Sequence, residues 1–119
     1  MIVIVAKDLH ESVIEAREIM VNDFHKRMTI SDVIINLARG FTDYSLAVYL
    51  KIRPDLFNYI IHQKTNRVID TPIKKALALN PTATSVLNSL RDKIYKTHNI
   101  KYSKKEMINV LLNEYFMER

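Results

Sequence analysis

A chain with a single glycine, Gly40, has almost no means of making the tight hairpins that most β-sheet proteins need. Its three prolines, Pro54, Pro72 and Pro81, add few turns. Leu, Ile, Asn, Lys and Ala dominate the 119 residues, so the expected fold is mainly α. The length suits one compact helical bundle, a single domain over 1–119 that buries its own core. An apolar share of 48% against 26% charged separates this chain from disordered sequences.

The opening residues, Met1 to Ala6, are β-branched enough for a short N-terminal strand, with a helix start as the alternative. From Asp8 the apolar period changes to that of a helix, and Leu9, Val13, Ala16, Met20 and Phe24 share one face. Thr29 and Asp32 have the spacing of a capping box, and Val33, Ile34, Leu37 and Ala38 follow as a stripe. Gly40 is expected to close that helix in the left-handed conformation. Further on, Thr71-Pro72 reads as the start of a helix "PIKKALALN" that stops before Pro81. Two amphipathic segments end the chain. Val86, Leu87, Leu90 and Ile94 line one. Met107, Ile108, Leu111, Leu112, Tyr115 and Phe116 line the other, behind a second cap pair, Ser103 and Glu106, and a turn at "THNIKY".

Charge is unevenly spread. Residues 1–50 hold five Lys/Arg against seven Asp/Glu, whereas residues 51–119 hold thirteen against six. Basic charge gathered in one part of a small protein is the electrostatic footprint expected of a nucleic-acid binder, with a merely solvated Lys-rich face as the alternative. Catalysis has little to stand on. There is no Cys, which excludes disulfides, thiolate metal sites and thiol chemistry. His10, His25, His62 and His98 are scattered, with no pair at metal-ligand spacing, and no Gly-rich phosphate loop occurs. Neither an enzyme activity nor a cofactor is expected. No segment is apolar for long enough to be a secretory leader or a membrane span, so a cytoplasmic protein is expected.

The stretch "SLAVYLKIRPDLFNYIIHQK", 45–64, reads as two short helices joined by a sharp bend. Ala47 supplies the small residue where the helices pack closest, Leu50 and Ile52 bracket the bend, and Phe57, Ile60 and Ile61 face inward. Here the chain resembles the helix-turn-helix of Cro and xenobiotic-response-element regulators, over a core of about 29–80, with 82–117 as a C-terminal helical pair. Lys51 stands where that family usually has glycine, and Phe57 is bulkier than its usual aliphatic residue. The resemblance implies that Pro54, Asp55, Asn58 and Tyr59 face the major groove of double-stranded DNA. It also implies that Lys51, Arg53, His62, Gln63 and Lys64 hold phosphates. A homodimer, seated through the last helix, would match operator symmetry, either alone or in a larger nucleoprotein complex.

A second resemblance, to ribbon-helix-helix repressors, covers 74–116. It implies an extended segment whose alternate residues Lys74, Ala76 and Ala78 face the bases, with Ser103, Lys104 and Lys105 at a phosphate. Alanine offers no hydrogen bond to a base. Residues 1–41 repeat this outline more loosely, and "TISDVIINLARGF" (29–41) echoes "SKKEMINVLLNEY" (103–115), so a single-chain pseudo-dimer stays open. Segment 74–79 separates the two resemblances. Its Ala-Leu-Ala-Leu favours helix, and helix-turn-helix is therefore the preferred reading. On it, the chain is a sequence-specific regulator of transcription, or an accessory factor at an origin of replication or transfer. The composition suggests a mobile element of a low-GC bacterium, such as a conjugative plasmid or a phage. The alternative outside DNA binding is a helical adaptor or inhibitor of a larger protein, docking through its last helix. On the preferred reading, Asn58→Ala relaxes preference at one base pair by about 1–3 kcal/mol. Lys104→Ala weakens every duplex about equally. Gel shifts on matched and mismatched duplexes compare the two.

Overall fold

The alternation in Ile2-Val3-Ile4-Val5 gives a strand two unlike faces, and the chain uses both. In the computed structural model, which describes residues 1–41, 73–99 and 101–117, β1 spans Ile2–Ala6. Val3 and Val5 point into the core while Ile2 and Ile4 point out. The partner of β1 is β2, Lys74–Ala78, antiparallel and in the register Ile2↔Ala78 to Ala6↔Lys74. Backbone bonds extend this two-stranded ribbon at both ends. Lys7 N–H donates to the Ile73 carbonyl at 2.8 Å, and Leu79 N–H to the Met1 carbonyl at 2.9 Å.

The helix expected over 74–79 is therefore a strand. Helical geometry would put Leu77 and Leu79 about 200° apart around the axis. In the ribbon both turn inward, with 1% and 3% of their surface exposed. A helix there would also leave the peptide groups of β1 without partners. A few tenths of a kcal/mol of alanine propensity cannot offset either loss. The helix start lies later, where Asn80 accepts from Ala83 N–H at 2.8 Å and Pro81 takes the first helical position.

Four helices complete the described residues: α1 (Lys7–Phe24), α2 (Ile30–Gly40), α3 (Pro81–His98) and α4 (Lys104–Met117). Both expected capping boxes are present. Thr29 N–H donates to Asp32 Oδ2 at 3.0 Å and Asp32 N–H to Thr29 Oγ1 at 3.1 Å. Ser103 N–H donates to Glu106 Oε1 at 3.0 Å and Glu106 N–H to Ser103 Oγ at 3.2 Å. Gly40 is not a left-handed stop. It is the last residue of α2, with extended Phe41 after it, and a Cβ placed on it would meet nothing within 4 Å. The left-handed stops are His25 (φ 54°) and Asn99 (φ 55°), which end α1 and α3. Consequently α3 runs through the first two residues of the expected "THNIKY" turn. Phe24, expected on the core face of α1, is half exposed at the overhanging end of the helix.

The two ends of the chain are copies of one plan. Residue n of the first corresponds to residue n + 74 of the second. Lys7 and Phe24, the bounds of the 18-residue α1, become Pro81 and His98, the bounds of the 18-residue α3. The left-handed His25 becomes Asn99, and the cap pair Thr29 and Asp32 becomes Ser103 and Glu106. Val3 becomes Leu77, its own partner across the ribbon, so a local twofold axis passes between these two residues. The echo at 29–41 and 103–115 is part of this repeat.

Neither copy encloses a core alone. The strands pair across copies, α2 packs most extensively on α3, and α4 packs against α1, α2, α3 and β1. One continuous cluster results, including Val13, Ile34, Leu87, Ile94 and Ile108. Of the stripe expected to seat a dimer or an adaptor partner, Met107, Ile108, Leu111 and Leu112 are buried in that cluster, and Tyr115 and Phe116 are partly buried against it. Because α4 is enclosed on several sides, Asn109, Asn113 and Glu114 are buried with it, which a single-stripe pattern does not show.

Leu77→Ala is expected to cost about 2–5 kcal/mol in urea unfolding, against under about 1 kcal/mol for Ile4→Ala on the outer face. Equal costs would contradict the observed strand faces. Asp32 supplies a pH test. The Thr29 backbone N–H, then the Thr29 hydroxyl, hold its carboxyl below the ordinary value, with Lys26 adding to them against slight desolvation. Its stabilising effect is thus present above the unfolded-state pKa of about 3.9 and is lost as pH falls through the lower folded value. The stability gap between wild type and Asp32→Ala is expected to shrink on acidification across that window, measured by denaturant unfolding at a series of pH values.

Candidate nucleic-acid interface

The pleat that buries Val3, Val5 and Leu77 leaves Ile2, Ile4 and Ala6 of β1 and Lys74, Ala76 and Ala78 of β2 on the outer face of the ribbon. Cross-strand pairing sets Ile2 beside Ala78 and Ile4 beside Ala76, and the Ala6–Lys74 pair gives one end a positive charge. This strip is open: Ile2 is 64% and Ile4 51% exposed. Met1 and Ile73 at the ribbon ends are exposed as well. Ile2 and Ile4 thus lie side by side as an exposed aliphatic strip on the paired sheet.

Cations gather along the β1 side of the strip. An open groove of about 330 Å³ is lined by Ile2, Val3 and Ile4 on one wall, with Arg91, Ser103, Lys104 and Lys105 opposite. Lys104 and Lys105 are the first two residues of α4, and the Ser103–Glu106 box fixes where that helix begins. Arg91 comes from α3 and is held in place. Its Nε donates to the Tyr102 carbonyl and its Nη1 to Asn88 Oδ1, both at 2.9 Å. A guanidinium has five N–H donors, and these bonds use two. An adjoining groove of about 470 Å³ adds Lys101 and the exposed face of Tyr95. Burial, and after it the charge of Glu106, push the Tyr102 phenol above its ordinary pKa.

The β2 side is built differently. Ser31, in the first turn of α2, is buried and its Oγ accepts from Asn80 N–H at 2.8 Å, which ties α2 to the end of β2. Ile30 and Ser31 stand where the other copy has Lys104 and Lys105, so this helix start carries no lysine in its first turn.

Of the residues named from the sequence, Lys104 and Lys105 fall in the basic groove, and Lys74, Ala76 and Ala78 lie on the outer ribbon face. Lys51, Arg53, Pro54, Asp55, Asn58, Tyr59, His62, Gln63 and Lys64, with the bent helix pair over 45–64, lie outside the described residues. Of the rest of the 29–80 core, 30–40 is a helix, whereas 74–78, expected in a following helix, is a strand. Ile2, Ile4, Arg91 and Lys101 were missed. The alternation in β1 was visible, but without a known partner strand it did not say which face would stay open. Among the described residues no cluster of His, Cys, Asp or Glu could hold a metal ion, and no helix is long and apolar enough to cross a membrane.

The chain matches no protein-family model, no curated protein and no solved structure.

Proposed function

We propose that the protein binds double-stranded DNA by laying the β1/β2 ribbon into the major groove, in the manner of the ribbon-helix-helix repressors its two copies resemble. The observation that carries this reading is the open outer face of the ribbon with Arg91, Lys101, Lys104 and Lys105 beside it. A major groove about 12 Å wide admits a two-stranded ribbon. Its floor offers hydrogen-bonding edges and, at each thymine, a methyl group. Ile2, Ile4, Ala76 and Ala78 suit the methyl groups, and Lys74 supplies a donor at one end. The lysines and Arg91 then neutralise backbone phosphates, which fixes register and accounts for most of the affinity.

The ribbon is complete within one chain, so a second copy is not needed to form the reading surface. The role that follows is a small duplex-binding regulator, or an accessory factor in a nucleoprotein complex at an origin.

Fluorescence anisotropy on A·T-rich and G·C-rich duplexes over a range of salt concentrations tests the proposal. Binding is expected to favour the A·T-rich duplexes and to fall steeply with salt. The double variant Lys104→Ala/Lys105→Ala is expected to lower the slope of log K against log salt by about 2, one for each phosphate no longer neutralised. Binding to no duplex, or binding that salt leaves unchanged, would reject duplex recognition through the ribbon.

A further inference from the structure

Taking duplex binding through the ribbon as its basis, we infer that a single chain occupies a non-palindromic site in one orientation, because its two related halves present different chemistry to the duplex. The local twofold between Val3 and Leu77 stands perpendicular to the ribbon. Turning the protein about that axis exchanges residue n with n + 74 and reverses it on the duplex. A protein with equal halves would be indifferent to that turn. This one is not. The turn puts Ala76 where Ile2 was and Ala78 where Ile4 was, which trades broad apolar side chains for single methyls. It also puts Ile30 and Ser31 where Lys104 and Lys105 were.

The two differences act together. The groove wall formed by Ile2 and Ile4 faces Lys104 and Lys105, so the larger readers and the first-turn lysines belong to one side of the ribbon. On the other side, Ala76 and Ala78 neighbour a helix start whose Ser31 hydroxyl is already bonded to Asn80. The preferred duplex therefore has its thymine methyls concentrated in the half that the β1 side covers. The phosphates flanking that half are the ones held most firmly. Where the halves agree, at Arg17 and Arg91 and at Arg27 and Lys101, the contacts are common to both orientations.

The absence of cysteine makes a directional test simple, since one introduced thiol is the only one in the chain. A duplex is selected from a random pool by the wild-type protein. Asn22→Cys and Lys96→Cys, at equivalent exposed positions outside the contact residues and on opposite sides of the ribbon, are each labelled with an iron chelate that cleaves nearby DNA. Each variant is expected to cut one flank of the selected site, the two cutting opposite flanks, with at least about tenfold preference. A single disfavoured base pair already supplies that factor. Equal cutting of both flanks by both variants would overturn the inference while leaving duplex binding intact. Failure of the wild-type protein to select any duplex would instead remove the reading on which it rests. Should a labelled variant fold poorly by circular dichroism, the sequence selected by the wild-type protein decides: a palindrome overturns oriented binding, and an asymmetric site sustains it.

Discussion

The antiparallel pairing of β1 with β2 is the interaction on which the rest of this structure depends. It joins segments far apart in the chain and pairs the peptide groups that the two strands turn towards each other. It also turns Val3, Val5, Leu77 and Leu79 inward as one layer. An isolated pair of strands is marginal in water. Here the pair persists because α1, α2 and α4 pack against it, while among the described residues no helix covers its outer face. That single asymmetry makes a small sheet both a structural clasp and an exposed surface.

The constant offset of 74 residues explains how so short a ribbon organises the chain. Each copy contributes one strand and two helices, and each strand completes its sheet only with the other copy's strand. The helices follow the same exchange, with α2 lying on α3 and α4 reaching β1. The separation between paired segments is large, so the loop-closure cost falls on the ribbon before its contacts can offset it. Local devices ease that cost by defining the helix ends in advance: the two capping boxes, Asn80 ahead of Pro81, and the left-handed His25 and Asn99.

Sequence divergence between the copies is confined neither to the surface nor to the core, but its consequences differ. In the core, Val33 against Met107 or Ala38 against Leu112 exchanges one apolar volume for another and the packing absorbs it. On the outer ribbon and at the helix starts, Ile against Ala and Lys against Ile change what the surface offers a partner. Electrostatics follow the same division. The surplus of Lys and Arg after residue 50 includes Lys101, Lys104 and Lys105, set on one side of a nearly symmetric frame.

Local order was legible in the sequence. Caps at Thr29 and Ser103, the stripe of α2 and the helical majority all rest on interactions within a few residues, and each appears where those interactions placed it, while the β-branched residues at 2–5 marked a strand without showing its partner. Two matters were decided only by tertiary structure. Lys74–Ala78 became a strand because β1 supplied an edge, which no window around Ala-Leu-Ala-Leu contains. Asn109, Asn113 and Glu114 became interior because several elements enclose α4 at once, whereas a stripe pattern assumes one wet face. The candidate site was half legible. Lys104 and Lys105 stand out as cations behind a cap, while Ile2, Ile4 and Arg91 join them only through a fold that brings the chain's beginning against its end. Hydrophobic periodicity reports which residues can be buried. Which apolar face stays open depends on what the rest of the chain leaves uncovered.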